Sequence, residues 1–178
     1  MKAAATIVSE HGAEALTMEG IAAEAGVNKA LVYRFFANRD AALIALWKIE
    51  TEAFDARLQA AISERETLED KLLALFDTWL DQVEAGGGVL GRLDVPGVGP
   101  AELERLRDER REAVVYFIAE MFREEYDVPI REAVTAASVL GLGAQGLASL
   151  WAHTGWPRKK LAATFVRLCI GAIESISE

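Results

Sequence analysis

Cysteine occurs once in the 178 residues, at Cys169, histidine twice, at His11 and His153, and proline four times, with none before Pro96. One cysteine excludes an internal disulfide framework and points to a reducing compartment, so a cytoplasmic protein is expected. Neither histidine has a second His or Cys three or four residues away, so no metal site is expected. The glycine-rich stretch 86–99 lacks the Lys-Ser/Thr ending of a phosphate-binding loop, and no other constellation suits catalysis. No enzyme and no cofactor are expected. A basic stretch followed by an apolar run and a small-residue cleavage site is also missing from the start, so no secretory leader is expected. Alternating β-branched and polar residues between turn pairs are absent too, which leaves strands unsupported.

What is there favours helix. Apolar residues make up 52% and charged residues 26%, a globular profile. The proline-free first half is rich in Ala, Leu, Glu and Arg, which are strong helix formers. Apolar spacing and capping residues predict helices over about 2–11, 18–25, 28–36, 39–63 and 67–85, with Thr17, Asn28, Asn38 and Thr67 at their starts. Pro100, Pro129 and Pro157 are expected in the first turns of helices over about 100–125, 129–153 and 157–176. The segment from Gly86 to Gly99 is expected to be a flexible break that gates a cavity or connects helices. The fold class is all-α, with residues 1–45 as an N-terminal three-helix domain and 46–178 as a larger helical domain.

Residues 17–36 carry the functional signal. Ala22 is small enough for two helices to touch, and Gly26, four residues later, suits the left-handed backbone of a tight turn. This is the pattern of a helix-turn-helix. Ile21, Val27, Val32, Phe35 and Phe36 are expected to form its core. Asn28, Lys29, Ala30, Leu31, Tyr33 and Arg34 then face outward, with long cations and hydrogen-bonding groups for phosphates and base edges.

The run from Ile21 through Lys29, on through Val32-Tyr33-Arg34-Phe35-Phe36 and to Asn38-Arg39-Asp40, resembles the TetR family of transcriptional regulators. The resemblance implies phosphate contacts from Thr17, Lys29, Tyr33 and Arg39, and approach to base edges by Asn28, Ala30, Leu31 and Arg34. Asn28, Ala30, Leu31, Arg34 and Arg39 stand where the family usually has Ser, Gly, Thr, His and Lys. Leu31 offers only an apolar contact, such as one to a thymine methyl, whereas Arg34 suits bidentate readout of guanine. Family members usually carry a basic arm before the first helix; here Lys2 is the only cation at that end. The implied function is a ligand-responsive repressor that binds a palindromic double-stranded operator as a homodimer. The alternative is a helical dimer that binds a small molecule or protein and no longer reads an operator.

The larger domain is expected to hold a small apolar or amphipathic effector, with Phe76, Trp79, Phe117, Met121, Gln145 and Trp151 as lining candidates. Residues 133–157 contain no Asp, Glu, Lys or Arg, a length that could cross a bilayer. Thr135, Ser138, Gln145, Ser149, His153 and the glycines weaken its hydrophobicity, so no membrane span is expected. Its small residues suit burial on both sides, and Gly141, Ala144 and Ala148 with Phe165, Leu168 and Ile173 of the last helix are the expected dimer interface. Cys169 falls in that last apolar stripe and is expected to be a buried structural thiol. The Arg105, Arg107, Arg110 and Arg111 cluster, interleaved with acids, reads as a salt-bridged solvent face.

The net charge of −9 is unevenly spread. Residues 1–48 hold five cations and five acids, so the whole excess lies beyond them. Residues 27–48 carry Lys29, Arg34, Arg39 and Lys48 against Asp40 alone, a local +3. An acidic body repels DNA except through such a face.

Overall fold

The computed structural model describes residues 1–85 and 87–177, apart from the side chain of Ala152. Nine α-helices and no strand occur among these residues. In chain order they are α1 (Lys2–His11), α2 (Met18–Ala25), α3 (Lys29–Phe35), α4 (Arg39–Ser63), α5 (Leu68–Glu84), α6 (Gly88–Leu93), α7 (Ala101–Glu125), α8 (Ile130–Thr154) and α9 (Arg158–Ser177). A 3-10 turn, Ala13–Ala15, joins α1 to α2.

The caps explain most of the boundaries. Thr17 Oγ1 accepts from the Gly20 N–H at 2.9 Å, and Asn28 Oδ1 from the Leu31 N–H at 2.8 Å. Asn38 Oδ1 accepts from the Ala41 N–H at 2.8 Å. Thr67 Oγ1 accepts from the Asp70 N–H at 3.1 Å and donates to the Asp70 carboxylate at 2.8 Å. The prolines sit one residue earlier than expected. Pro129 is the N-cap of α8, and the carbonyls of Pro100, Pro129 and Pro157 accept the first bonds of the helices after them.

The chain divides into two compact units, Met1–Ala56 with Ala85–Asp108, and Arg57–Glu84 with Glu109–Glu178. Helices α4 and α7 supply residues to both. The first unit packs α1 on α2, α2 on α3, and α6 on α1. Its core holds Val8, Leu16, Ile21, Val32, Leu43, Leu46 and Trp47; each such side chain contributes about 1.5–3 kcal/mol on burial. The second unit packs α5, α8 and α9 together around Leu72, Phe76, Leu80, Phe122, Ala137, Phe165, Val166 and Ile173.

The stretch after α5 is not the open break expected. Gly86 lies outside the described residues, but residues 88–93 form α6, which buries Leu90 and Leu93. Gly87, at φ 74°, makes the entry possible, since a Cβ there would meet the Gly91 Cα at 2.8 Å. Arg107 fastens the loop between α6 and α7. It is 3% exposed, where a solvent-facing arginine was expected. Its guanidinium donates to the carbonyls of Leu93 and Val98 and pairs with Glu104 at 2.6 Å. Three acceptors clustered near one buried cation outweigh its loss of hydration. Asp94, at the end of α6, accepts from Trp47 Nε1 of α4 at 3.2 Å.

Candidate nucleic-acid interface

Helix α3 is short, and burial of Val32 (4% exposed) fixes which way it faces. Gly26, at φ 65° in the left-handed region, closes α2 and turns the chain into α3. Lys29, Ala30, Tyr33 and Arg34 are then exposed, and Leu31 is half-buried. Ile21 and Ala22 of α2 are buried beneath them.

Two expected core residues differ. Phe35 is 67% exposed and Val27 38% exposed, while Phe36 is half-buried. On a seven-residue helix only one line of side chains meets the core, and Val32 occupies it. The Arg34 guanidinium lies 5.7 Å from the exposed Phe35 ring, a cation–π distance that keeps the cation at the surface.

The polar groups are pre-arranged. Lys29 ion-pairs with Glu19 of α2 and lies 5.4 Å from the Tyr33 ring. The hydrogen bond from Lys29 lowers the Glu19 carboxyl below its ordinary value, and the same bond raises the Lys29 ammonium. Both side chains are exposed, so the pair is screened and weak. Glu19 was not a sequence candidate. Its signal was an acid in the first turn of α2, which also reads as an ordinary favourable interaction with the helix dipole.

Asn28 spends its Oδ1 on the cap, so its amide N–H₂ is the group left to reach a base edge. Thr17 likewise accepts through its hydroxyl oxygen and retains a hydrogen to donate to a phosphate. Arg39, expected at a phosphate, is also tied into the chain. Its guanidinium donates to the carbonyls of Leu16 and Ala13, both at 2.9 Å, and lies 3.4 Å from Glu14. Those bonds fasten the start of α4 to the turn before α2.

Four of the six effector candidates meet in one apolar cluster, Phe76 and Met121 within it and Trp79 and Trp151 packed against it. Phe76 and Met121 are in the core of the second unit, where Phe76 stacks on Phe165 at 4.3 Å. Trp79 is half-buried beside Phe76, whereas Phe117 and Gln145 are exposed. Trp151 also lines a cleft, formed with Val83, Glu84, Gly155, Trp156 and Arg158. Apolar spacing could not separate core from lining, because both require the same residue types.

The interface candidates also divide. Ala148, Phe165 and Ile173 are 1%, 9% and 0% exposed, so they belong to the core of the chain itself. Gly141 and Ala144 are half-buried, and Leu168 is 62% exposed. The free apolar face consists of Val139, Leu142 and Leu150 on α8 with Leu168 and Ile176 on α9. Helix α8 from Ile130 to Trp151 is long and apolar enough to cross a membrane, with a mean hydropathy of 1.4. Cys169 is buried, which pushes its thiol up to about 12.

Residues 1–46 match the family model described as bacterial regulatory proteins, tetR family. No curated protein matches. Among solved structures, the chain is similar to the fatty acid degradation regulator FadR of Bacillus halodurans, at 20% identity over 94% of this chain and 90% of that one, with a TM-score of 0.70. It is similar to a TetR-family transcriptional regulator of Streptomyces coelicolor, at 19% identity over 99% and 93%, with a TM-score of 0.72. FadR of Bacillus subtilis, solved in complex with stearoyl-CoA, is 18% identical over 99% and 95%, with a TM-score of 0.68. The helix-turn-helix of residues 1–46 thus matches the tetR family of bacterial regulatory proteins, and the chain as a whole shares the all-α fold of a solved TetR-family transcriptional regulator.

Proposed function

We propose that this chain is a ligand-responsive, sequence-specific DNA-binding repressor that works as a homodimer in the cytoplasm. The observation that carries this reading is the exposed face of α3. Lys29, Tyr33 and Arg34 stand clear of the core, Ala30 allows close approach, and the surrounding segment is locally basic on an acidic chain. Thr17, Lys29 and Tyr33 engage phosphates, and Asn28, Ala30, Leu31 and Arg34 reach base edges in the major groove. Arg39 positions the helix-turn-helix from behind.

The free apolar face of α8 and α9 supports pairing with a second copy, which covers Leu142 and Leu168 and removes the need for any bilayer. Two-fold symmetry sets the recognition helices on successive major grooves roughly 34–36 Å apart, so the operator is palindromic. The effector is a small apolar or amphipathic molecule bound by the second unit. The stearoyl-CoA in the Bacillus subtilis relative is an amphipathic molecule on the same fold. Binding shifts the dimer toward a form with lower operator affinity.

The test is binding to DNA from upstream of the protein's own gene, measured by fluorescence anisotropy over a salt series. The expected result is salt-dependent binding, tighter than to a random duplex, that Arg34→Ala weakens by about 1–3 kcal/mol. Equal affinity for upstream and random DNA sinks the regulator and leaves a helical dimer that has lost operator recognition.

A further inference from the structure

At the C-terminal end of α5 and the turn between α8 and α9, Val83, Glu84, Trp151, Gly155, Trp156 and Arg158 line an open cleft of about 420 Å³. That volume falls within the roughly 300–1,000 Å³ of small-molecule clefts. The turn is internally fixed. The Gly155 N–H closes on the Trp151 carbonyl at 3.3 Å, and Trp151 Nε1 donates to the Trp156 carbonyl at 2.9 Å. Trp151 is half-buried, and Trp156 is 47% exposed.

The cation of the cleft, Arg158, is already saturated by acids. Arg158 donates through Nε to Asp77 Oδ1 at 3.1 Å and through Nη2 to the Asp77 carbonyl at 2.7 Å. Its Nη1 meets Asp81 at 2.6 Å and Glu84 at 3.3 Å. Three carboxylates therefore surround one guanidinium, leaving an excess of two negative charges. A fatty carboxylate or a phosphate would have to displace one of these acids to reach Arg158. Lys160 lines a neighbouring hollow beside Leu161 and Leu168 that shares Trp156 with the cleft. Indole faces attract cations through their quadrupole, and do so most strongly when the cation is weakly hydrated.

We infer that this cleft is the effector site and that it takes an amphipathic organic cation, with the quaternary head against Trp151 and Trp156 and Glu84 as its counter-ion. The ligand's role as an effector rests on the proposed regulator function; its binding does not. Of the lining residues only Trp151 was a candidate in the sequence, because the end of α5 and the α8–α9 turn meet only in the fold.

Two ions of nearly equal size and apolar surface but opposite charge, tetraphenylphosphonium and tetraphenylborate, separate charge recognition from simple hydrophobic adsorption. Each is titrated into the full chain by isothermal calorimetry, with tryptophan fluorescence alongside and dodecanoate as a third ligand. The expected result is saturable phosphonium binding at least about tenfold tighter than borate binding. Glu84→Gln and Trp156→Ala each weaken it by about tenfold, while Glu132→Gln, on the exposed first turn of α8, leaves it unchanged. Comparable affinity for the two ions overturns the inference, as does phosphonium binding indifferent to both cleft variants, or saturable binding of dodecanoate alone. Phosphonium is then added to the upstream DNA complex. Release confirms the cleft as an effector site. Cleft binding by a protein that shows no preference for upstream DNA upholds the cation site and removes the regulator; preference for upstream DNA without phosphonium binding does the reverse.

Discussion

Lys29 stands where attraction to DNA meets an internal competitor. Its ammonium faces the solvent from the first turn of α3, yet it is paired with Glu19 and lies over the Tyr33 ring. Each phosphate contact by Lys29 must first break that pair and bring a phosphate near the Glu19 carboxylate. Loose, sequence-independent contacts suffer most from this cost, since they have no base contacts to offset it. Glu19→Gln is therefore expected to raise affinity for a random duplex by about three- to tenfold and to steepen the log–log salt slope by about one. The ratio of upstream to random binding falls as a result. Anisotropy titrations of both duplexes across a salt series measure the change, and an unaltered slope would show that Glu19 does not restrain Lys29.

Helix α6 shows how an element of only six residues is held in place. Its sequence, Gly-Val-Leu-Gly-Arg-Leu, has two glycines and is too short to persist on local propensity. Packing of Leu90 and Leu93, contact with α1, the Trp47–Asp94 hydrogen bond and the Arg107 clamp hold it instead. Arg107→Leu keeps much of the side-chain volume but leaves the carbonyls of Leu93 and Val98 without their donor, so a loss of about 2–4 kcal/mol is expected. Urea unfolding followed by circular dichroism reads the loss. A change under about 0.5 kcal/mol would mean that water replaces the guanidinium without penalty. The clamp was hidden in the sequence because Arg107 alternates with acids like any residue of an exposed helical face.

At the scale of the whole molecule, α8 and α9 carry a row of exposed apolar side chains. Val139 and Leu142 are 62% and 70% exposed on a helix with no charge after Glu132 until Arg158 begins α9. Burial of such a face between two copies is the hydrophobic term that drives association. The double variant Leu142→Asp with Leu168→Asp places charges in that face and is expected to sediment as a monomer with its helical signal intact. Upstream DNA affinity then drops steeply, because each half-site is bound alone. A variant that still sediments as a dimer would locate the interface elsewhere.

The sequence by itself determined the helix-turn-helix and nearly all helix boundaries. Both rest on local chemistry: a left-handed turn that favours glycine at position 26, and side chains that cap their own helices at Thr17, Asn28, Asn38 and Thr67. It also placed a local excess of basic charge in the segment around α3. Only the tertiary structure decided which of many similar apolar residues are core, which are free and which line a cleft. Phe165 and Leu168 are three residues apart on one helix, yet one stacks on Phe76 and the other faces solvent. The same holds for Arg34, Arg39 and Arg107, three arginines of equal local standing. One is exposed beside Phe35, one fastens the turn before α2, and one is buried as a clamp. Their partners are distant backbone carbonyls or a neighbouring ring, and carbonyls carry no signature in the amino-acid sequence.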